Sequence, residues 1–340
     1  MAPTPPASRP DSSARVVWRV LRSNPLSLGG FALIVLIGVV AAVVAIDPHL
    51  LIPYGPQQIT GAYHARPSWA HPFGTDGNSF DVYSNVLLAL PLDLGIGILI
   101  AGSALLGGGT LGLIAGFFDR PGTLGGALSV VIMRITDIFL SFPSLILALA
   151  ITRALGLGVG PTVLAIGLTW WPYYVRLVRG EVLAVKGLPY VVAARASGVS
   201  EWRILARHVI RNVLEPVVVF FTLDIGTVLV TYSTIGFIGV ASKYPSAQPE
   251  WGAMLAFYQS SGAINAYPWE VFAPGAAIFV TVFAFSLLGD GLRDILDPRT
   301  RRAFVRSSAG REPPAEVPAT ALPSGTVPPS APANDLGAPA

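Results

Sequence analysis

The sequence lacks cysteine altogether, which excludes disulfide bonds, thiolate metal sites and a cysteine nucleophile. Charged residues are also scarce: they make up 12% of the chain, against about 25% in soluble domains. The four histidines are too scattered to predict a metal cage. No Walker A phosphate loop is present, so the chain is not expected to hydrolyse ATP itself. We predict no catalytic residue, no cofactor and no nucleic-acid partner.

Long apolar runs take the place of charge. Hydrophobic residues account for 52% of the chain, and the mean hydropathy is +0.62. Apolar runs of this length predict membrane-spanning helices, and we place them at about 26–46, 87–117, 127–150, 161–174, 217–235 and 271–288. The first run is longer than the ~7–15-residue core of a cleaved signal peptide, so we expect it to be retained. The predicted fold is an all-α membrane protein with six transmembrane helices.

The two ends of the chain differ in composition from the middle. Residues 1–22 and 303–340 are rich in Pro, Ala and Ser and are predicted to be largely disordered tails, so the membrane domain should span 23–302. Of the 22 Lys and Arg residues, 18 fall on one side of the predicted spans, and the opposite side holds Arg66, Arg153 and Lys243. Basic loops favour the cytoplasm, so both termini are predicted to be cytoplasmic.

The polar stretch at 188–213 predicts a helix, a turn and a second helix outside the bilayer. Its first half is rich in small residues, and Gly198 stands where the chain must reverse. Ser200 is a candidate N-cap, and Glu201 suits the first turn of the second helix. That helix should carry an apolar face and a basic stripe, formed by Trp202, Leu205, Val209 and Val213 and by Arg203, Arg207 and Arg211. The pattern alone leaves open a docking surface or a solvated helix on the membrane.

Polar and small residues inside the spans have competing interpretations. The glycine-rich run at 107–112 lacks the Lys-Ser/Thr of a phosphate loop, so it predicts close helix packing. Arg134 and Asp137 are three residues apart and can pair on one helix face. Asp224 is the most isolated charge in a span; it either lines a water-filled path or is a hydrogen-bonded structural residue.

Several motifs, taken in order, resemble the C-type permease subunits of the dipeptide/oligopeptide/nickel ABC importers. The resemblance covers about residues 23–302. It rests on SNPLSLGG before the first span, FGTD at 73–76, MRITDIFLSFP at 133–143, RLVRGEVL at 176–183, the small residues at 193–198, PEWGAML at 249–255 and LLGDGLRDILDPR at 287–299.

The resemblance implies that 188–213 is the "EAA" coupling loop, which docks into a groove on the ATPase subunit. The implied coupling residues are Val192, Ala193, Ala194, Gly198, Glu201, Arg203 and Arg207. The chain departs from the motif: Val192 replaces its Glu, while His208, Ile210 and Arg211 replace its Ile, Leu and Pro. Two arginines that usually follow FGTD are missing, and Tyr232 stands where the family often has an acid.

The resemblance also implies the function and its partners. The chain would form half of a path for di- or oligopeptides, or nickel, with oligosaccharides or another solute left open. It would sit in lipid in the cell membrane with a second, B-type permease subunit, two ATPase subunits and an extracytoplasmic solute-binding protein. ATP-driven closure of the ATPases would move the loop and open the path alternately to each side. Glu250 and Trp251 would form an external gate, contact the binding protein, or belong to a cap with no role in transport.

Two other classes of protein fit the sequence less well. An ion-coupled secondary transporter needs carboxylates in its spans, and the sequence offers only Asp224 and, less centrally, Asp93 and Asp137. Such a transporter would leave the basic loop unexplained. A membrane-embedded enzyme would need a His–carboxylate cluster or a nucleophile–base pair at membrane depth, and the sequence contains neither.

Overall fold

A computed structural model describes residues 25–296, so the two predicted tails lie outside the described residues. Within this range the chain is helical, with only isolated β-bridges. A short 3₁₀ turn covers Pro48–Leu50, and a π-helical segment covers Leu205–Val209. The α-helices are α1 Pro25–Ile46, α2 Val82–Phe117, α3 Leu124–Leu140, α4 Ser144–Leu155, α5 Val159–Lys186, α6 Pro189–Ala196, α7 Glu201–Ile204, α8 Ile210–Phe237, α9 Trp251–Ser260, α10 Ala263–Ala266 and α11 Pro268–Leu296.

Four helices in the described range are long and apolar enough to cross a membrane. They are Leu26–Ile46, Val82–Phe117, Glu201–Phe237 and Pro268–Asp294. The predicted third span is instead two helices, α3 and α4, that meet at 87°. Pro143 explains the break, because proline has no N–H to donate and disfavours helical geometry in the residue before it. The predicted fourth span lies in α5, whose 28 residues reach about 42 Å.

The glycine-rich run packs α2 against α5, as the sequence predicts. A Cβ on Gly108 would stand 2.2 Å from the Trp171 carbonyl oxygen, and one on Gly112 would stand 2.8 Å from that of Val175. One turn further on, Gly116 faces the Val182 side chain in the same way. Three glycines spaced four apart therefore let the two helix backbones touch.

Contacts between the connections orient the bundle. Arg120, just after α2, bonds Glu201 at the start of α7, so the C-terminal end of α2 lies beside the 188–213 loop. At the other end, segments 47–81 and 238–267, here called the cap, fold together. The buried Asp76 carboxylate accepts from its own turn and from the Tyr244 hydroxyl at 3.0 Å. Burial raises the pKa of Asp76, although these hydrogen bonds oppose the shift.

Candidate functional site: the 188–213 loop and the buried carboxylates

The loop folds as the predicted helix–turn–helix. Helix α6 ends at Ala196, and the second helix begins at Glu201. Gly198 has φ +77° with no atom within 4 Å of an added Cβ, so the left-handed backbone, rather than space, calls for glycine there. Ser200 occupies the N-cap position, but its side chain makes no capping hydrogen bond.

The second helix does not stop before the membrane. The sequence predicts a separate span at about 217–235, and that boundary is wrong: α7, the π-helical segment and α8 form one 37-residue helix, Glu201–Phe237, with Pro216 inside it. A proline is tolerated inside a membrane helix because neighbouring groups satisfy the freed carbonyl. The loop is thus joined directly to a spanning helix.

An apolar cluster anchors the loop on the bundle. Val191 of α6 and Ile204, Leu205, Val209 and Val213 of the second helix are buried against Phe117, Val178, Val182 and Val185. Trp202, predicted on this face, is 71% exposed and touches only the edge of the face through Phe118. The π-helical segment explains the difference, because its wider turn rotates the later apolar residues away from the direction of Trp202.

The exposed face of α6 and of the turn carries mostly small or apolar side chains. Val192 is 52% exposed, Ala193 and Gly198 are exposed, and Ala194 is half-buried against the anchoring cluster. Tyr190 and Trp202 flank them and are also exposed. An apolar patch held in place by a packed inner face is typical of a protein–protein docking site.

Ion pairs fix the turn of the loop. Glu201 accepts from Arg195 of α6, with Nε to Oε1 at 3.1 Å, and also from Arg120. One carboxylate therefore closes the helix–turn–helix and ties it to the α2–α3 connection. Arg203 and Arg207 are exposed along the outer side of the second helix, as the predicted basic stripe requires.

Asp224 is buried between α5 and α8. Its carboxylate accepts from Trp170 Nε1 at 2.9 and 3.0 Å and from the Tyr174 hydroxyl at 2.8 Å. These bonds support the structural interpretation of Asp224.

The predicted pair of Arg134 with Asp137 is not the pair that forms. Asp137 of α3 accepts instead from Arg176 of α5 at 2.7 Å.

Glu250 and Trp251 are buried, with exposed fractions of 0% and 1%. The Trp251 backbone N–H donates to Asp93 Oδ2 at 3.0 Å, and its indole Nε1 donates to the Val86 carbonyl at 2.9 Å. Neither side chain is available to a binding protein in this conformation. The sequence did not predict that Asp93 holds the PEWG segment. Its only signal for this role was a carboxylate inside an apolar run.

The described helices define a polytopic membrane protein with a helix–turn–helix loop at one end. In them, no group of three or more His, Cys, Asp or Glu residues could hold a metal ion. Residues 108–302 match the family described as "Binding-protein-dependent transport system inner membrane component". The chain belongs to this family: it is a multi-pass inner-membrane permease subunit, not an enzyme. Permeases of this kind work with an ATPase, a partner permease and a binding protein.

Curated relatives cover most of the chain. It is 38% identical to the "Probable D,D-dipeptide transport system permease protein DdpC" of Escherichia coli K12, over 85% of this chain and 92% of that one. It is 35% identical to the "Glutathione transport system permease protein GsiD" of Pectobacterium atrosepticum, over 86% and 94%. A "Dipeptide transport system permease protein DppC" of Alkalihalophilus pseudofirmus is 34% identical, over 88% and 97%.

Proposed function

We propose that residues 23–302 form half of the translocation path of an importer for short peptides. The other half would be a B-type permease subunit, and two ATPase subunits would bind from the cytoplasm. A solute-binding protein would deliver the substrate on the opposite side. The lopsided distribution of Lys and Arg supports cytoplasmic termini and a cytoplasmic 188–213 loop.

The observation that carries the coupling role is the continuity of the loop with a spanning helix. The helix Glu201–Phe237 has 37 residues and is therefore about 55 Å long. A displacement of its first turn by an ATPase would be carried along this continuous helix, through the π-helical segment and Pro216, towards the cap end of the bundle. A surface helix attached through a flexible link would not transmit it.

The exposed face of the loop supplies the docking contact. Val192, Ala193 and Gly198 present a surface without long side chains, so a groove on the ATPase can approach the backbone closely. Val192 replaces the acidic residue of the family motif, and its contact is therefore apolar rather than ionic. Among the charges of the loop, Glu201 and Arg195 pair within the chain, whereas Arg203, Arg207 and Arg211 are exposed and would meet acidic groups of the partner.

Inside the bundle, Asp224 holds α5 to α8 beside the path, and the Glu250–Trp251 segment acts as the gate at the cap end. The contacts of Asp224 with α5, of Trp251 with α2 and of Glu250 with the α8 backbone support these roles. When the helix Glu201–Phe237 tilts, the contacts of Trp251 with α2 must either move with it or break. A break would open the cap side of the path.

The names of the relatives support a peptide substrate, since they refer to D,D-dipeptides, glutathione and dipeptides. None of these names refers to nickel or an oligosaccharide. The test is uptake of a labelled dipeptide into proteoliposomes that contain the full assembly and ATP, with glutathione, Ni²⁺ and a maltose-type sugar as competitors. We expect ATP-dependent uptake that peptides alone suppress. Uptake driven by an ion gradient without ATP would contradict the proposal.

A further inference from the structure

A set of polar groups outside the coupling loop is closed off from water where the cap meets the spans. Asp93 comes from α2, Tyr232 and Ser233 from α8, and Glu250 from the residue before α9. All four are nine-tenths or more buried. Ser242, in the connection from α8 to α9, lies beside Glu250 and completes the set, here called the carboxyl cluster.

Most polar atoms of the carboxyl cluster make no hydrogen bond of standard geometry. Asp93 Oδ2 accepts from the Trp251 N–H, but Asp93 Oδ1 and both Glu250 oxygens accept no hydrogen bond of standard geometry. The Tyr232 and Ser242 hydroxyls lie close enough to Glu250 to act on it as donors, although their geometry falls short of a standard hydrogen bond, and the Ser233 hydroxyl is unpaired. Buried polar atoms are normally paired, so a group of orphans in one place points to a missing ligand.

The charge of the carboxyl cluster is also uncompensated. The groups that act on Asp93 are the Trp251 N–H and Glu250, while those that act on Glu250 are Tyr232 and Ser242. Tyr232 in turn faces both carboxyls. Each of these groups is neutral or acidic, and Lys243, next to Ser242, points outward. A hydroxyl can donate a hydrogen bond to a carboxylate oxygen, but it adds no positive charge. Two carboxylates that are shielded from water and carry like charge repel each other strongly.

The walls of the carboxyl cluster restrict what can enter. A Cβ on Gly236 would lie 2.5 Å from Glu250 Oε1, so the carboxylate already rests on the α8 backbone. Gly252 is pressed in the same way against the Ser233 carbonyl oxygen, at 2.2 Å from an added Cβ. Both contacts show that backbone and side chain are closely packed around Glu250, which favours a small ion over a larger ligand.

We propose that the carboxyl cluster binds one small bare cation, Na⁺ or H⁺, between Asp93 and Glu250. Oxygen-only donors of this kind suit a hard monovalent ion, and broken or irregular backbone beside spanning helices is where membrane proteins place such ions. The bound cation neutralises one carboxylate and holds the PEWG segment against α2 and α8. Its loss leaves two facing negative charges and releases Trp251 from Asp93.

Hydrogen exchange of the assembled importer in nanodiscs tests this site, with the 251–260 peptide as readout. Na⁺ is raised from roughly 1 to 100 mM against choline at fixed pH, and separately pH is lowered at fixed Na⁺, with rates corrected for intrinsic exchange. Where the ion concentration is well above the Kd, each tenfold rise in concentration should raise the exchange protection of the 251–260 amides about tenfold. A response to Na⁺ identifies the alkali ion, and a response to pH alone identifies the proton.

The direction of the pH response is fixed by the burial of Glu250. Burial raises the pKa of this carboxyl above its ordinary 4.5. The proton-bound, closed state is therefore favoured as pH falls and is lost as pH rises through the raised pKa. Protection of 251–260 should fall with rising pH if the cation is H⁺.

Variants separate the cluster from general effects of salt and pH. Glu250→Gln removes one charge at constant shape, so the peptide should stay protected while its response to Na⁺ or pH disappears; Asp93→Asn serves if that variant fails to assemble. The control is Glu215→Gln, at an exposed position of the helix Glu201–Phe237 and more than four helical turns from Tyr232 of the carboxyl cluster. It should respond like the wild type. Wild-type protection that is insensitive to both ions, or an unchanged response in Glu250→Gln, would overturn the site.

Discussion

Replacing Gly198 by valine should uncouple ATP hydrolysis from uptake without affecting membrane insertion. Gly198 has φ +77° and an open environment, so valine meets no steric neighbour and the whole cost is in the backbone. Placing an L-residue in the left-handed region costs about 1–2 kcal/mol. That reduces the fraction of loops in the docking geometry by a factor of about 5–30. The anchors Val191 and Ile204 are unaffected, so the protein should still fold.

The assay is substrate imported per ATP hydrolysed in proteoliposomes with the complete assembly. Gly198→Asn is the matched control, because asparagine tolerates the left-handed region and should retain most of the coupling. Gly180→Ala tests for a general effect of losing a glycine, since an added Cβ there has no neighbour within 4 Å. Wild-type uptake per ATP in the valine variant would refute the coupling role of this turn.

Three further predictions concern the bundle and the loop. Gly108→Ala should lower the melting temperature of the purified protein, because the added Cβ would lie 2.2 Å from the Trp171 carbonyl oxygen. Gly107→Ala is the control, since its Cβ has no neighbour within 4 Å and should leave the melting temperature unchanged. Equal melting temperatures of the two variants would contradict the close packing of α2 on α5. Asp224→Asn should lower the free energy of unfolding by about 1–3 kcal/mol, because it disturbs three buried hydrogen bonds, and the melting temperature should fall. Unchanged stability with slower uptake would instead place Asp224 on the translocation path. Glu201→Gln weakens two partly exposed ion pairs, so the free energy of unfolding should change by less than about 1 kcal/mol, while proteolysis at the 197–200 turn becomes faster. An unchanged cleavage rate would argue that these ion pairs do not fix the turn.

Features that depend on local pattern could be predicted from the sequence. Apolar run length predicted the regions of the spans, though not all their boundaries, because a helix must be long and apolar to cross the bilayer. Glycine spacing indicated close helix packing, and the position of Gly198 indicated the reversal of the loop. Each of these requires only neighbours within one or two helical turns.

Features that depend on distant residues could not be predicted. The Glu201–Arg120 pair joins residues 81 positions apart, and the Trp251–Asp93 bond joins residues 158 positions apart. The helix through Pro216 and the exposure of Trp202 depend on the tertiary packing of the second loop helix and on its π-helical segment. Pro216 and the apolar runs alone predicted a helix boundary, which was wrong, and the apolar period placed Trp202 on a face at whose edge it is exposed.

Site-specific cross-linking tests the docking of the loop most directly. The chain has no cysteine, so Ala193→Cys places a single thiol on the exposed face of α6. It is paired with a cysteine in the groove of the partner ATPase, and Ala70→Cys, exposed in the cap, is the control. We expect a cross-link from position 193 whose yield changes with ATP, and none from position 70. A fully assembled importer that gives no cross-link at 193, or one at 70, would contradict the proposed loop and its orientation.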